Sequence, residues 1–173
     1  MAGVGAAFEW CRSHDEAVAL SRLFADNLTT SYISHAELQG LRALDPGTWS
    51  PDIGKLLEED LTSRVASPLD PANGERARLV ARGSVSGTNV AVSLVSFNRS
   101  GAVPFTEIED MVVADTSRGK GVGHAFMDWI FEQSRQRGIA RLFLESGITN
   151  EHAHEFFEEL GFSQVSMVMM KTL

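Results

Sequence analysis

The run Ser117-Arg118-Gly119-Lys120-Gly121-Val122-Gly123-His124 constrains this chain more than any other. A strand-like stretch, EIEDMVV (107–113), precedes it, and an amphipathic one, FMDWIFEQSRQR (126–137), follows. Three glycines at alternate positions raise the conformational entropy lost on folding, so a bare backbone must be needed there. A strand that ends in a turn free of side chains and re-emerges as a helix points to a layered α/β architecture. The N–H groups that open such a helix, together with its dipole, form a site for an anion. Arg118 and Lys120 would add charge to it. The plainer alternative is a solvated basic turn.

Two phosphate-binding motifs fail at this turn. A nucleotide P-loop needs four residues between its glycines and then Lys-Ser or Lys-Thr, whereas Gly121 follows Lys120 here. A dinucleotide fingerprint, G-x-G-x-x-G, would place its last glycine at His124 or Phe126, and no acidic ribose ligand is evident on a following strand.

Around the turn, periodicity predicts helices over 14–28, 35–44 and 52–66, with a turn at DPGTWSP (45–51) and a loop at SPLDPANGE (67–75). The character then changes. RARLVARG (76–83) and TNVAVSLVSFNR (88–99), separated by SVSG, predict a hairpin, and PFTEIEDMVVA (104–114) a third strand. The helix after the glycines should stop near Gly138. ARLFLES (140–146) reads as a short strand, NEHAHEFFEEL (150–160) as a helix, and FSQVSMVMMKTL (162–173) as a last strand. No linker divides the chain, so residues 1–173 are expected to form a single domain: helices over 1–66 and a sheet-bearing core over 76–173.

Composition narrows the partners. A formal charge of −8 argues against broad binding to nucleic acid or anionic membranes. It leaves room for a cationic small substrate. Cys11 is the only cysteine, which excludes an internal disulfide and a four-thiolate metal site. Neither a signal peptide nor a long apolar run is visible, so a cytoplasmic location is expected. His152 and His154 are two apart and face different sides of a helix, a poor metal pair. No metal is expected.

R-x-x-G-x-G between a strand and a helix resembles the acetyl-coenzyme A loop of the GCN5-related N-acetyltransferases (GNAT). Asn150, Ala153, Phe156 and Phe157, followed by Gly161-Phe162, are similar to that family's N-x-x-A-x-x-Φ-Y-x-x-x-G-F segment, and MVMMKTL to its last strand. The resemblance runs from Glu107 to Leu173. It implies a mixed, mostly antiparallel, splayed sheet with helices on both faces, and acetyl-coenzyme A as co-substrate. It implies that main-chain atoms of Met111, Val112 and Val113 pair with the pantetheine arm. Main-chain N–H groups of Arg118, Gly119, Lys120, Gly121, Val122, Gly123 and His124 would hold the pyrophosphate, and Asn150 would touch the coenzyme. The N-terminal helices would wall the acceptor site.

Acetyl transfer to an amine needs a neutral amine, and a carboxylate is the natural base. Glu109, Asp110, Glu107 and Glu145 are the candidates, in that order. Strict alternation puts Glu107 and Glu109 on one face and Asp110 on the other, unless a bulge changes the parity. The family's frequent proton donor is a tyrosine where this chain has Phe157, which has no proton to give. Tyr32, the only tyrosine, is either a replacement or packed by its ring. The expectation is an N-acetyltransferase acting by direct attack of a primary amine, with a small cationic acceptor favoured. A non-catalytic acyl-coenzyme A sensor is the alternative. The apolar last strand would suit a homodimer edge.

Overall fold

The computed structural model describes residues 5–173. In chain order the elements are β1 (Ala6–Trp10), α1 (His14–Asp26), α2 (His35–Gln39), β2 (Ala43–Asp45), β3 (Thr48–Trp49), α3 (Ile53–Arg64), β4 (Arg76–Val85), β5 (Thr88–Asn98), β6 (Phe105–Val113), α4 (Val122–Gln136), β7 (Leu142–Leu144) and α5 (Glu151–Glu159). They form two compact units. The first comprises residues up to Leu28 with Asp52–Glu145, and the second comprises Thr29–Pro51 with Ser146–Leu173.

The first unit holds a five-stranded sheet of order β1-β4-β5-β6-β7. Its first four strands pair antiparallel, and β7 joins β6 in parallel. The β4–β5 hairpin closes on Ser86 and Gly87, both at positive φ, so β4 extends two residues beyond the expected Gly83. Such a two-residue turn matches the right-handed twist of the flanking strands.

Helices cover both faces of this sheet. On one face, Leu20 and Phe24 of α1 and Leu57 and Leu61 of α3 are buried, as are Val80, Val92 and Leu94 of the strands. On the other face lies α4. Its Ser134 hydroxyl meets Thr106 of β6 at 2.8 Å, and its Phe126 ring stacks on Phe8 at 5.1 Å. Gly83 makes room for that stack, since a Cβ there would lie 2.9 Å from the Phe8 ring. Strand β1, too short and alanine-rich to be read from alternation, is placed by pairing with β4 from Ala6↔Val85 to Trp10↔Ala81.

In the second unit, α2 is shorter than expected. Its capping box, Ser34 with Glu37, starts it well, but it stops before Gly40, and Ala43–Asp45 turn back on Thr48–Trp49 as a small hairpin. Trp49 donates its indole N–H to the Thr29 carbonyl, and its ring lies 6.3 Å from that of Tyr32. Helix α5 stops before Gly161, at φ +89°.

One expectation fails outright. Residues 163–173 form no strand, and Val165, Met167, Val168, Met169 and Met170 are exposed. High β-propensity marks readiness to pair rather than pairing itself. Moreover, Met167–Met170 is a continuous apolar run with no period-two alternation to fix a register.

Candidate active site

Strand β6 carries the expected acids, and its register is not regular. Val95 pairs with Ile108 and Leu94 with Asp110, so Glu109 is the extra residue of a β-bulge. Directly paired residues of an antiparallel ladder share a face. Glu107, opposite Ser96, and Asp110, opposite Leu94, therefore lie on the same face as Arg76 and Arg78, which are opposite Asn98 and Ser96. Glu109 joins them, because its carboxylate accepts from both arginines. The bulge has gathered onto one face three acids that strict alternation would divide. Ile108, Met111 and Val113 fall on the opposite face, toward α4, so Met111 and Val113 do not share a face with Glu107.

The bulge also sits where β6 and β7 part. Their pairing runs Thr106↔Leu142, Glu107↔Phe143 and Ile108↔Leu144, whereas β6 continues to Val113. From Glu109 onward, the edge of β6 that faced β7 extends past the last paired residue. Glu145 follows β7 directly and is exposed.

Beyond Val113 the chain makes one 3-10 turn, Asp115–Ser117, anchored by an Asn27 side chain that accepts from the Asp115 N–H at 2.9 Å. Two of the three glycines need their conformation: Gly119 has φ +70° and Gly121 φ +78°. An L-residue meets its own carbonyl in that region, which is the physical reason for glycine there. Gly123 already lies within α4. Gly121 is the N-cap and offers no side chain, and the first helical bond is Ala125 N–H to Gly121 O at 3.1 Å. The main-chain N–H groups of Val122 and Gly123 lie ahead of that bond, as at any helix start. The two cations fold back on the turn. Arg118 donates to the Val113 carbonyl at 3.0 Å and pairs with Asp115 at 2.6 Å, and Lys120 donates to the Thr116 carbonyl at 2.6 Å. They shape the loop as well as charging it.

The acids meet arginines that the sequence did not single out. Glu109 accepts from Arg64 at 2.7 Å, Arg76 at 2.9 Å and Arg78 at 3.4 Å. Glu107 accepts from Arg76 at 2.7 Å. Asp60, one turn before Arg64 on α3, takes two parallel bonds from it at 2.9 Å and one from Arg78 at 3.1 Å. Burial pushes the Glu109 carboxyl upward, but the attraction and hydrogen bonds of Arg64, with Arg78 and Arg76 beyond, outweigh it and hold the pKa below its ordinary 4.5. Glu109 is therefore ionised at neutral pH and fully engaged. The Asp60–Arg64 spacing of four residues on an amphipathic helix was the one available signal for this cluster.

In the second unit, Asn150 is the N-cap of α5, with its carbonyl accepting from His154 at 3.1 Å and no side-chain cap bond. The Phe157 ring meets Phe156 at 5.1 Å and Phe162 at 5.8 Å, both edge-on. Among the described residues no group of three His, Cys, Asp or Glu side chains is arranged to hold a metal, and no helix is long and apolar enough to cross a membrane.

A family profile described as "Acetyltransferase (GNAT) family" matches residues 47–162. The chain is 31% identical over 67 residues to an aminoalkylphosphonate N-acetyltransferase of Salmonella typhimurium, covering 39% of this chain and 44% of that protein. It thus spans under half of this curated relative. Among solved structures, a possible acetyltransferase from Clostridium difficile 630 superposes with a TM-score of 0.66 at 13% identity, over 97% of each chain. An aminoglycoside acetyltransferase from an uncultured soil metagenomic sample, in complex with sisomicin, superposes with a TM-score of 0.65 at 14% identity, over 98% of this chain and 97% of that one. At these identities the structures share the fold. The profile covers well over half the sequence, and the bulged strand, glycine turn and helix stand in the order that the motifs implied: the chain belongs to the acetyltransferase (GNAT) family.

Proposed function

We propose that this protein transfers the acetyl group of acetyl-coenzyme A to the primary amine of a small molecule by direct attack. The observation that carries the reading is the continuous path formed by the β6 edge beyond the bulge, the glycine turn and the start of α4. A pantetheine arm would add to the edge of Met111, Val112 and Val113 as an extra strand. The pyrophosphate would rest on the main-chain N–H groups from Arg118 to His124, where the helix dipole favours it. Asn150 remains the proposed contact from α5.

The geometry reorders the candidate bases. Glu109, 16% exposed, would have to give up bonds to three guanidinium groups in order to take a proton. Asp110 is 4% exposed. Glu107 keeps 33% of its side chain in solvent and would give up one guanidinium bond, to Arg76, against three for Glu109, so we assign it the base, with Asp110 and Glu145 next. Glu107 takes the proton from the attacking nitrogen, a C–N bond forms at the thioester carbonyl, and the C–S bond breaks. The departing thiol has a pKa near that of a cysteine, about 8.5, so the thiolate can leave without the tyrosine that Phe157 replaces.

Asp60, Glu107, Glu109 and Asp110 are offset by Arg64, Arg76 and Arg78, all but one formal negative charge. The cluster therefore offers little net charge to draw polycations, and an amine of modest charge suits it equally. The aminoalkylphosphonate acceptor named for the Salmonella relative is one such class. The test is thermal unfolding with and without acetyl-coenzyme A, followed by free-thiol release across a panel of aminoalkylphosphonates, amino sugars and polyamines. A ligand that binds only the folded state must raise Tm. A raised Tm with amine-dependent thiol release, lost in Glu107→Gln, establishes the reading. Stabilisation without release by any amine favours a non-catalytic acyl-coenzyme A sensor, and no stabilisation at saturating coenzyme rejects both.

A further inference from the structure

The Arg64–Glu109 pair is an expensive way to hold a helix against a sheet. The Arg64 side chain is 1% exposed, and its Nη1 is buried without a hydrogen-bond partner. Removing a guanidinium and a carboxylate from water costs as much as their attraction returns, and apolar side chains of similar volume would hold α3 in place as well or better. Stability alone does not account for the pair. Its position does.

Glu109 is the bulged residue, the point at which β6 leaves the pairing with β7. A bulge bends its strand, increases the local twist and can re-aim a side chain. Here the bulged residue is held at both carboxylate oxygens. Asp60 fixes the Arg64 fork by two bonds of 2.9 Å, the fork fixes Glu109 Oε2 at 2.7 Å, and Arg76 bridges Glu109 Oε1 to Glu107 at 2.9 and 2.7 Å. The chain of contacts therefore runs from α3 through the bulge to the acid assigned as base.

We infer that Arg64 is a positioning residue for acetyl transfer. Acting through Glu109, it sets the angle of the bulge, and with it both the main chain that meets the thioester and the carboxylate of Glu107. This rests on the acetyltransferase reading above. The hydrogen bonds of the Arg64 side chain go to Asp60 and Glu109, away from the glycine turn, so its loss should disturb the reaction more than the grip on the coenzyme.

The experiment compares wild type with Arg64→Met, Arg64→Lys, Glu109→Gln and the double variant Arg64→Met/Glu109→Gln. Acetyl-coenzyme A binding is followed by calorimetry, and turnover with the best amine of the panel gives kcat and KM. Misplacing reacting groups by a fraction of an ångström should lower kcat on the order of tenfold to a hundredfold. Coenzyme Kd and KM should stay within about threefold, because the interactions lost belong to the transition state. Arg64→Lys, a point charge in place of a fork, should recover only part of the rate. The double variant should be no slower than the worse single one, since both remove the same link. A folded Arg64→Met or Glu109→Gln with kcat within twofold of wild type overturns the inference, as does a double variant whose losses multiply. If Arg64→Met fails to fold, Arg64→Lys and Glu109→Gln carry the same comparison. Wild type that binds no coenzyme overturns the acetyltransferase reading and this inference together. Wild type that turns over, with variants as fast, overturns the inference alone.

Discussion

Gly119→Ala isolates what the glycine turn requires. At φ +70°, a Cβ at this position would meet nothing within 4 Å, so the substitution adds backbone strain and no collision. The left-handed conformation costs an L-residue about 1–2 kcal/mol. Alanine also narrows the unfolded ensemble, which returns about 0.4–1 kcal/mol. The net penalty is about 1 kcal/mol, and it must fall somewhere. If the turn keeps its shape, the loss is in stability, a Tm lower by about 2–4 °C for a chain of this size. If the turn relaxes toward negative φ, stability is preserved and the N–H groups swing off the pyrophosphate, which weakens acetyl-coenzyme A by about fivefold for the same free energy. Thermal unfolding of the free protein and calorimetric titration together measure both shares. Gly119→Asn is the control, because asparagine tolerates this region better, and its combined loss should be smaller than that of alanine. Alanine with unchanged Tm and unchanged affinity, or asparagine as damaging as alanine, would refute the assignment of this glycine to conformation.

Other positions give equally direct tests. Gly121→Glu should abolish coenzyme binding by placing bulk and negative charge at the helix start; unchanged affinity would sink the loop assignment. In the second unit, a Cβ at Gly147 would lie 2.2 Å from the Ser31 carbonyl oxygen and 2.6 Å from that of Ile33, both main chain, so Gly147→Ala should lose about 3 kcal/mol, toward the upper end for overpacking, in a denaturant titration. Glu109, with its folded pKa below its ordinary 4.5, contributes stability that is intact above that pH and lost as pH falls through the folded value. The slope of stability against pH below 4.5 should therefore be shallower in Glu109→Gln, and an identical slope would show that the clamp is not formed. Burial pushes the Cys11 thiol up to about 11, so native protein at pH 8 should react with a disulfide reagent over a hundredfold more slowly than denatured protein, a ratio read directly by absorbance.

Legibility followed the range of the interactions. The glycine turn, the helix behind it and the stop at Gly138 were readable because positive φ and amphipathic period are local properties. The β4–β5 hairpin was readable for the same reason, although its turn proved to be Ser86-Gly87 alone. Strand β1 forms where no alternation announces it, and the apolar segment after Phe162 forms no strand although its composition suits one. In each, pairing decides the outcome, and five residues or an unpatterned apolar run do not announce a partner. The candidate site divides in the same way. Which residues carry acids and glycines is written in the chain. Which acid meets solvent, and which is locked by Arg64, Arg76 and Arg78, is not.

By itself, then, the sequence determined the strand–turn–helix unit, the family to which it belongs, and the presence of acids beside it. Only the tertiary structure decided that Glu109 bulges, that Glu107, Glu109 and Asp110 share a face, and that three arginines from α3 and β4 converge on Glu109. The physical reason is that a bulge is a mismatch between two strands, and an ion pair across 45 positions is a contact between two elements. Neither exists until the chain has folded and both partners are in place.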